Sequence, residues 1–571
     1  MTTGMRNVLM VGFAALAWGR LSAVEVQAAQ TGGTSVRWFE EMMPAPDGVK
    51  LYTYGSAPAE GVKCPIIIQR NPYVKETRVD VAGFAKGQQG TLARGYAYVI
   101  QHVRGAGMSE GKRIPYEDER RDGLALLDYV RKLPWYNGEI YLEGGSYLTS
   151  VHWAYLDTNP ADVKGAALAI QEVNRYNINL RHGFFKIGLH GGWFVKEYHK
   201  TDHALTRNAD VKLTDLPLLD FSRRYWGKPV PAFDNPILHP QPEDPYWRSN
   251  EAGSGAEARQ ALLKSTMPVL LRTAFYDIYT EGLCDMWRET PPARRANCAL
   301  LIDAYDHSGT MRPAWKKGTF AEFPGGSRAD ANVNNLDWFD AIRKAAKEGR
   351  PFAGVPGATA GHMRYFALWE NKWIEEPALV DGSRAVTMTL GAGEQTIVYD
   401  PRGKPPSFPG SGGIAFGGME AQPAFTGRND VVTFMLPPIA EQLDVRGRIT
   451  AKLAVRSDCE DTSFYVRLTV DKGDGRFLLL RDDILSLGWR EAKPYVPGEV
   501  RTLDYTFPDH AFRLSPGDKL RVDVASAASA FALHPNIRTA NRYAVRPEQM
   551  KVAHNVVIAD KSAISLPVKG M

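Results

Sequence analysis

Ile140-Tyr-Leu-Glu-Gly-Gly-Ser-Tyr-Leu-Thr149 is the stretch of sequence that decides the fold. Its first residues are typical of a buried strand, Gly144 and Gly145 permit a sharp turn, and a helix-like segment follows Ser146. A nucleophilic serine needs this strand–turn–helix arrangement, because the turn presents its hydroxyl at the carboxyl end of the strand. Leu148 stands where a second glycine is usual, two residues after the serine. We therefore take Ser146 as the candidate nucleophile.

Short apolar runs alternate with helical segments on both sides of this motif, from Ser35 to about Gly354. Apolar strands that alternate with helices favour a mainly parallel sheet covered on both faces, which makes the fold class α/β. The predicted strands are Pro65–Gln69, Tyr96–Val103, Ile140–Glu143, Gly165–Ile170, Pro268–Thr273 and Cys298–Ile302. The predicted helices are Glu117–Leu133, a segment after Ser146, Tyr279–Arg288 and Asn332–Lys347.

Two regions differ from this pattern. Residues 171–264 contain many aromatic side chains and no strand-like run, and an interval of this length predicts an inserted helical cap whose aromatics mainly form its own core. Beyond Gly354, turn residues separate short strands, and Asp474-Gly475 is a hairpin signal, which predicts a β-sandwich or jelly roll. Apolar and charged residues alternate in Lys519–Val524, as in a half-buried strand. The other strands predicted there are Ala385–Leu390, Val431–Leu436, Ile449–Val455, Phe464–Val470 and Phe477–Leu480.

The partners that a nucleophilic serine requires follow Ser146 in the expected order. Attack requires a histidine base that a carboxylate orients, and in α/β-hydrolases the chain order is Ser, then Asp or Glu, then His. Asp277 follows the predicted strand Pro268–Thr273 and His307 follows Cys298–Ile302, so both lie at the sheet edge where open α/β sheets build their sites. Two nearby acids, Asp303 and Asp306, are alternatives to Asp277.

Two groups at the same edge are candidates for an oxyanion hole. The backbone N–H of Tyr147 directly follows the nucleophile, which is the usual position of one donor. Tyr73 follows the strand Pro65–Gln69, and its hydroxyl can supply a second donor. Packing of Tyr73 against the cap is the alternative interpretation of that side chain.

Several motifs together resemble the CocE/NonD hydrolases, a family that includes cocaine esterase, glutaryl acylases, α-amino acid ester hydrolases and X-Pro dipeptidyl-peptidases. The resemblance covers nearly the whole chain after its N-terminal segment. The motifs are Gln69-Arg-Asn-Pro-Tyr73, Gln101-His-Val-Arg-Gly-Ala-Gly-Met-Ser-Glu-Gly111, Pro134-Trp-Tyr-Asn-Gly138, Gly144-Gly-Ser-Tyr147, His239-Pro, Asp244-Pro-Tyr-Trp247, Phe275-Tyr-Asp277 and Asp337-Trp-Phe-Asp340.

The resemblance implies an α/β-hydrolase domain, a helical cap and a C-terminal jelly roll. It also implies Ser146 as nucleophile, Asp277 as acid and His307 as base, with the Tyr73 hydroxyl and Tyr147 N–H as the oxyanion hole. The sequence departs from the family pattern at three places. His102 stands where Asp is usual, Phe275 stands where Trp is usual, and Asp303-Ala-Tyr-Asp-His307 replaces a Gly-Pro-Trp-x-His run. Because of these departures, the resemblance does not determine the subfamily or the substrate.

The N-terminal residues have the pattern of a secretory signal peptide. A short basic region, Met1–Arg6, precedes the apolar stretch Asn7–Trp18, and small residues allow cleavage after Ala28. Twelve apolar residues are too few to span a bilayer. We therefore expect a periplasmic or secreted protein without a membrane partner. The predicted domains are a signal peptide (1–28), an α/β-hydrolase domain (29–170 and 265–354), a helical cap (171–264) and a jelly-roll domain (355–571).

Composition excludes several classes of protein. The chain has 571 residues, 44% hydrophobic and 23% charged, as in ordinary globular proteins. Its net charge of +5 is spread without a long basic run, which argues against nucleic acid as a partner. A small-molecule ester or amide is the expected substrate, and no metal or organic cofactor is implied. Cys284 and Cys298 form either a disulfide or two buried thiols.

Three other functions fit the sequence less well. Gly105–Gly111 superficially resembles a dinucleotide-binding loop, but Glu110 occupies the place of the third glycine and would repel a pyrophosphate. His199 and His203 have the spacing of a metal pair, but Lys200 stands where the HExxH motif requires Glu. A non-catalytic carbohydrate-binding protein would explain a jelly roll but not the Ser-Asp-His order.

The sequence favours carboxylic esters or acyl amides as substrates, because an aromatic-rich cap suggests an apolar pocket. An X-Pro dipeptidyl-peptidase or an α-amino acid ester hydrolase is the alternative. Either would need buried carboxylates to bind the substrate ammonium. Glu197 and Asp202 are the candidates for that role, and the commoner interpretation of both is that they are surface acids.

Overall fold

The computed structural model describes residues 24–31, 34–74, 77–201, 212, 214–248, 255–309, 322–379, 381–410, 418–491 and 493–570. Helices α1–α12 span Val81–Gly87, Gln89–Ala93, Glu119–Val130, Tyr147–Trp153, Arg175–Asn179, Gly192–Thr201, Phe221–Trp226, Pro231–Leu238, Gly255–Lys264, Thr280–Glu289, Pro292–Arg295 and Asn335–Lys347. Strands β1–β27 span Gln27–Thr31, Thr34–Pro44, Lys50–Ala57, Cys64–Asn71, Ala97–His102, Tyr136–Gly145, Val163–Ala169, Leu180–Arg181, Phe184–Phe185, Val269–Tyr276, Ala299–Asp306, Gly354–Val355, Ala358–Thr359, Met363–Ala367, Lys372–Glu376, Arg384–Thr389, Glu394–Tyr399, Val431–Met435, Leu443–Gly447, Thr450–Ser457, Ser463–Asp471, Phe477–Ser486, Arg501–Thr506, His510–Leu514, Lys519–Ala525, Ala553–Ile558 and Ala563–Val568.

The α/β domain is built on a mixed sheet that has eleven strands within the described residues, in the order β1-β2-β3-β5-β4-β6-β7-β10-β11-β14-β15. The strands from β5 to β14 run parallel, and helices cover them. In β4, Ile66, Ile67 and Ile68 are all fully buried, because residues that point to opposite faces of this sheet are both covered. The predicted α/β class and each strand predicted before Gly354 are confirmed.

The edges of this sheet depart from the sequence prediction. Strands β1, β2 and β3 were not predicted, and they join the parallel centre through antiparallel pairs. At the other edge, β14 and β15 extend the same sheet as far as Glu376, beyond the predicted domain boundary at Gly354. Hydrogen bonding to β11 assigns β14 to the sheet, and a pairing of that kind leaves no local signal in the chain.

The segment between β7 and β10 carries helices α5–α9 and covers the carboxyl ends of the parallel strands. Although no strand was predicted here, β8 and β9 form a short antiparallel hairpin. As predicted, most of its aromatics pack together in one cluster, which also includes Tyr543 of the C-terminal domain. Its buried aromatic members from this segment are Phe185, Phe194, Phe221, Trp226 and Phe233.

The C-terminal domain is all-β and confirms the predicted class. Within the described residues, strands β16, β17, β19, β20, β23, β24, β26 and β27 form one antiparallel sheet, and β18, β25, β21 and β22 form a second. The expectation of a half-buried strand at Lys519–Val524 is wrong, because Arg521 and Asp523 are buried along with the apolar face. The rings of Phe408 and Phe425 lie over Arg467 on this polar face.

Several expectations concern the N-terminus and the cysteines. Residues 1–23 of the predicted signal peptide lie outside the described residues, and strand β1 includes the predicted cleavage site after Ala28. Cys284 and Cys298 are buried free thiols, so the disulfide between them is absent. Among the described helices, none combines the length and the apolar character that a bilayer crossing requires.

Candidate active site

Ser146 occupies a strained turn between β6 and α4. Its φ of +58° and ψ of −129° lie outside the regions that non-glycine residues usually adopt, as in a nucleophile elbow. A side chain at Gly144 would place Cβ only 2.3 Å from the carbonyl oxygen of Leu148. Gly144 is therefore the glycine that this turn requires.

Thr149, to which the sequence analysis assigned no role, holds the elbow against the neighbouring strand. Its Oγ1 donates to the carbonyl oxygen of Gly144 at 2.8 Å and accepts from the N–H of Ala169 at 3.1 Å. The Ser146 N–H donates to the Ala169 carbonyl at 2.9 Å. These hydrogen bonds attach both sides of the turn to the end of β7.

The structure brings Ser146, His307 and Asp277 into one hydrogen-bonded chain. The Ser146 hydroxyl lies 3.0 Å from His307 Nε2, and His307 Nδ1 lies 3.0 Å from Asp277 Oδ1. Asp277 follows β10 and His307 follows β11, so two adjacent parallel strands deliver them to the edge at which β6 delivers Ser146. The side chain of Asp277 is fully buried and that of His307 is 11% exposed.

Two further hydrogen bonds orient the Asp277 carboxylate. Thr273 Oγ1 donates to Oδ2 at 3.1 Å, and the Tyr279 N–H donates to Oδ1 at 3.1 Å. Sequence reasoning missed the role of Thr273, although its position at the end of the predicted strand, four residues before Asp277, was a usable signal. A buried carboxylate with this many donors can hold one orientation toward the imidazole.

The two alternative acids direct their hydrogen bonds elsewhere. Asp303 accepts from the Tyr305 N–H at 2.9 Å and from Arg328 Nε at 3.3 Å, and burial raises the pKa of its carboxyl to about 7. Asp306 accepts from the N–H and the hydroxyl of Ser308. Asp277 is therefore the acid in position to orient His307.

Tyr73 and Tyr147 flank the Ser146 hydroxyl. Tyr147 begins α4, so its N–H lacks an intrahelical acceptor and is available to a ligand. Tyr73 follows β4, it lines the same cavity as Ser146, and its ring lies 6.3 Å from that of Tyr147 between centroids. Tyr73 keeps 39% of its surface exposed in the cavity that it lines, yet the surrounding protein raises the pKa of its hydroxyl well above the ordinary value. That hydroxyl stays a protonated donor.

A cavity of about 470 Å³ lies between Ser146 and the cap. Most of its wall is aromatic or aliphatic, from residues of both the hydrolase domain and the cap. Its apolar and aromatic members include Tyr116, Ile170, Leu189, Trp193, Ile278 and Tyr279. A volume of this size, with few polar groups, suits an uncharged organic group.

Glu197, one of the two predicted ammonium ligands, does line this cavity. Its carboxylate accepts from Arg113 Nη1 at 2.7 Å, and both side chains are almost fully buried. The guanidinium compensates the charge of this carboxylate, so Glu197 is a weak ammonium ligand. Asp202 lies outside the described residues.

The residues that depart from the family pattern have structural partners. His102 is buried, its Nδ1 accepts from the Met108 N–H at 3.3 Å, and burial lowers the pKa of its imidazole to about 4. Phe275 packs against His510 of the C-terminal domain, with 4.9 Å between ring centroids. Neither His102 nor Phe275 lines the cavity beside Ser146.

Two motifs in the sequence pointed to other functions: the glycine-rich loop Gly105–Gly111 and the histidine pair His199 and His203. Gly105 has a φ of +63°, and a Cβ there would lie 2.2 Å from the backbone nitrogen of Arg113. Glu110 accepts a hydrogen bond from the Lys50 N–H at 3.0 Å. This glycine-rich loop is therefore packed against its own chain. The His199 side chain and all of His203 lie outside the described residues. Within the described residues, no group of three or more potential ligands is arranged to hold a metal ion.

Comparison with known proteins identifies the domains. Residues 47–309 match the family model described as X-Pro dipeptidyl-peptidase (S15 family), and residues 356–562 match X-Pro dipeptidyl-peptidase C-terminal non-catalytic domain. Cocaine esterase from Rhodococcus sp. (strain MB1 Bresler) is 25% identical over 551 residues, which cover 85% of this chain and 90% of that protein.

Two solved structures share the fold along almost the whole chain. An α-amino acid ester hydrolase has a TM-score of 0.76 at 18% identity, covering 98% of this chain and 100% of that one. An aminopeptidase from the marine sediment archaeon Thaumarchaeota archaeon has a TM-score of 0.74 at 18% identity, covering 94% and 96%. Identities this low establish a common fold and no common substrate.

The fold, the serine elbow and these matches define a serine hydrolase. The resemblance to the CocE/NonD hydrolases is confirmed by the S15 match, the PepX C-terminal match that follows it, and the similarity to cocaine esterase.

Proposed function

We propose that this chain is an exported serine hydrolase that cleaves carboxylic esters or acyl amides through an acyl-enzyme. One observation carries the proposal: Ser146, His307 and Asp277 form a continuous hydrogen-bonded chain whose serine end opens into a largely apolar cavity. Family membership supports the hydrolase class, and the N-terminal pattern of residues 1–28 supports export.

In the proposed reaction, Ser146 Oγ attacks the substrate carbonyl carbon while His307 Nε2 takes the hydroxyl proton. His307 then returns that proton to the leaving alcohol or amine, and the acyl group remains on Ser146. Water, deprotonated by the same imidazole, attacks the acyl-enzyme and releases the acid. Asp277 keeps the Nδ1 proton of His307 in place and stabilises the imidazolium that forms in each half-reaction.

The carbonyl oxygen gains negative charge as the tetrahedral intermediate forms. We assign the Tyr73 hydroxyl and the Tyr147 N–H as the donors that stabilise it. Both are held by the surrounding protein before substrate binds, so little reorganisation is needed when the charge develops. The raised pKa of the Tyr73 hydroxyl keeps its proton available for donation at working pH.

The character of the cavity favours uncharged acyl groups. An X-Pro dipeptidyl-peptidase or an α-amino acid ester hydrolase, the alternative, would need an uncompensated carboxylate for the substrate ammonium. Glu197, the candidate that lines the cavity, is paired with Arg113. A non-catalytic carbohydrate-binding protein would leave the ordered chain of Ser146, His307 and Asp277 without a role.

The mechanism is tested with a fluorophosphonate probe and p-nitrophenyl esters. We expect the probe to label Ser146 and Ser146→Ala to lose labelling and turnover. Ser150→Ala is the matched control, because it removes a hydroxyl from the same helix. Labelling at another residue, or turnover by Ser146→Ala, would refute the assignment.

The substrate class is tested by comparing p-nitrophenyl esters, acyl amides and X-Pro nitroanilides under one set of conditions. We expect turnover of the esters or acyl amides. Exclusive cleavage of the X-Pro substrate would reverse this ranking. Export is tested by N-terminal sequencing of the protein from the periplasm or medium, where the expected first residue is Ala29.

A further inference from the structure

The cap wall of the proposed substrate cavity begins where the chain leaves the C-terminal domain. Leu189, His190 and Trp193 are among the cap residues that line this cavity. Gly188, one residue before Leu189, donates its N–H to the carbonyl oxygen of Ala530 at 3.0 Å. Because Ala530 belongs to the C-terminal domain, the start of the cavity wall is attached to that domain and not to the domain that carries the nucleophile.

A single tyrosine of the C-terminal domain holds the hairpin of β8 and β9, which precedes this wall. The Tyr543 hydroxyl accepts a hydrogen bond from the Phe185 N–H at 2.8 Å and donates one to the Gly183 carbonyl oxygen at 2.5 Å. The Phe185 carbonyl oxygen accepts from the Ala532 N–H at 2.9 Å. Since Tyr543 is only 2% exposed, the hairpin groups that it satisfies would lose their partner if its hydroxyl were removed.

A buried ion pair holds the other strand of the hairpin. Arg181 Nε and Nη2 donate to the two carboxylate oxygens of Asp483, each at 2.8 Å, which is the bidentate geometry of a strong pair. The same guanidinium is bonded to Glu281 of α10 in the hydrolase domain. His182 Nδ1, in the turn, lies 3.0 Å from the Ile484 carbonyl oxygen. The hairpin therefore has a second attachment to the C-terminal domain.

The hydrolase domain holds the other end of the cap wall. Arg113 is bonded to Glu197 of α6 at 2.7 Å, four residues after Trp193. The wall from Leu189 to Glu197 is thus fixed by the C-terminal domain at its start and by the hydrolase domain at its end. The three catalytic groups and both proposed oxyanion donors belong to the hydrolase domain. A change in the C-terminal attachments should therefore alter the shape of the cavity more than the catalytic geometry.

We propose that the C-terminal domain, through the hydroxyl of Tyr543, sets the acyl specificity of the enzyme by positioning the cap wall of the substrate cavity. Tyr543 is a positioning residue, because it contacts the hairpin and is not among the described residues that line the cavity. The inference rests on the proposed function, in which the acyl group occupies this cavity. A long apolar acyl group reaches the cap wall and depends on its position, whereas an acetyl group stays beside Ser146.

The test compares p-nitrophenyl octanoate with p-nitrophenyl acetate in Tyr543→Phe. This substitution keeps the ring and removes the two hydrogen bonds to the hairpin. We expect KM for the octanoate to rise about five- to tenfold, because contacts with the cap wall are weakened. The KM for the acetate and the kcat for both esters should stay within about twofold of wild type.

Tyr505→Phe is the matched control. Tyr505 is also a buried tyrosine of the C-terminal domain, but its hydroxyl donates to the carbonyl oxygen of Phe464 in the same domain, at 2.9 Å. Its removal should leave both KM values within about twofold of wild type. A purely structural role for Tyr543 would lower the melting temperature, as in Tyr505→Phe, and would leave the ratio of the two KM values unchanged.

Asp483→Asn tests the same inference without changing Tyr543. It weakens the pair with Arg181 and keeps the volume of the side chain, so the ratio of KM for the octanoate to KM for the acetate should rise in the same way. Melting curves show whether each variant is folded. If Tyr543→Phe does not fold, the KM ratio of Asp483→Asn decides between the two outcomes.

The outcomes separate this inference from the proposed function. An unchanged KM ratio in a folded Tyr543→Phe, or an equal fall in kcat for both esters with KM unchanged, would overturn the positioning role and leave the mechanism intact. If Ser146→Ala keeps its turnover, the proposed function and this inference both fail.

Discussion

Asp277 in the hydrolase domain and Asp523 in the C-terminal domain are two fully buried carboxylates with different partners. Asp277 is bonded to the imidazole of His307, at the wall of a cavity. Asp523 is bonded to the guanidinium of Arg467 at 2.5 Å and accepts from the Thr433 hydroxyl at 2.7 Å. The Phe408 ring lies 4.4 Å from that guanidinium and helps to cover it.

The difference lies in what each partner can do with a proton. An imidazole gains and loses a proton near neutral pH, and that of His307 reaches the Ser146 hydroxyl. A guanidinium keeps its charge at every working pH, so the pair of Arg467 and Asp523 can stabilise a fold but cannot transfer a proton. Substitutions of the two aspartates should therefore separate activity from stability.

Asp277→Asn should have the largest effect, a fall of about 10⁴ in kcat, because the imidazole loses both its orientation and the stabilisation of its cationic form. The measurement is kcat with a p-nitrophenyl ester, with thermal melting as the control. We expect the melting temperature to change little. A variant that keeps more than about one tenth of the wild-type kcat would contradict the role of Asp277.

Asp523→Asn should show the opposite pattern. Removing this carboxylate leaves Arg467 charged and buried, which should lower the free energy of unfolding by about 3–5 kcal/mol. Urea denaturation measures the loss, and kcat per folded molecule should remain near wild type. Asp400→Asn breaks an exposed pair with Arg402 and serves as the control, with an expected loss of at most about 1 kcal/mol.

Tyr73→Phe removes one proposed oxyanion donor and keeps the ring. Loss of one such donor typically lowers kcat by about 10²–10³, with little change in ground-state binding. We therefore expect that loss at an unchanged melting temperature. A kcat within about threefold of wild type would show that the donor lies elsewhere.

Asp303→Asn should have the smallest effect on catalysis, with kcat within about threefold of wild type, because Asp303 is not bonded to His307. Burial raises the pKa of Asp303 to about 7 in the folded protein, above its ordinary value. The stability that its protonated form contributes is complete below about pH 4 and is lost as pH rises through 7.

The asparagine variant lacks this ionisation. The free energy of unfolding of the variant, minus that of wild type, should therefore be about 2–3 kcal/mol larger at pH 9 than at pH 5, as measured by urea denaturation at both pH values. An equal difference between the two proteins at both pH values would contradict the raised pKa.

The sequence predicted the centre of the α/β sheet better than its edges. Central strands such as β4 are continuous apolar runs, because both faces are buried, and that signal is local. Strand β14 joins the sheet only by pairing with β11, and nothing in its own residues indicates that partner. Arg521 and Asp523 alternate with apolar residues, which predicted a solvent-facing side of the strand. Charged residues that are buried as an ion pair give the same local pattern.

By itself, the sequence determined the class of enzyme and the three candidate groups Ser146, Asp277 and His307, because chain order and strand ends are local properties that a motif can carry. Only the tertiary structure decided which side chains support them. Thr149 and Thr273 bond to the elbow and to Asp277, Arg113 compensates Glu197, and Trp193 stacks on Tyr147 from the cap. Several of these contacts join residues far apart in the chain, and their hydrogen bonds and charges depend on packing that no short stretch of sequence encodes.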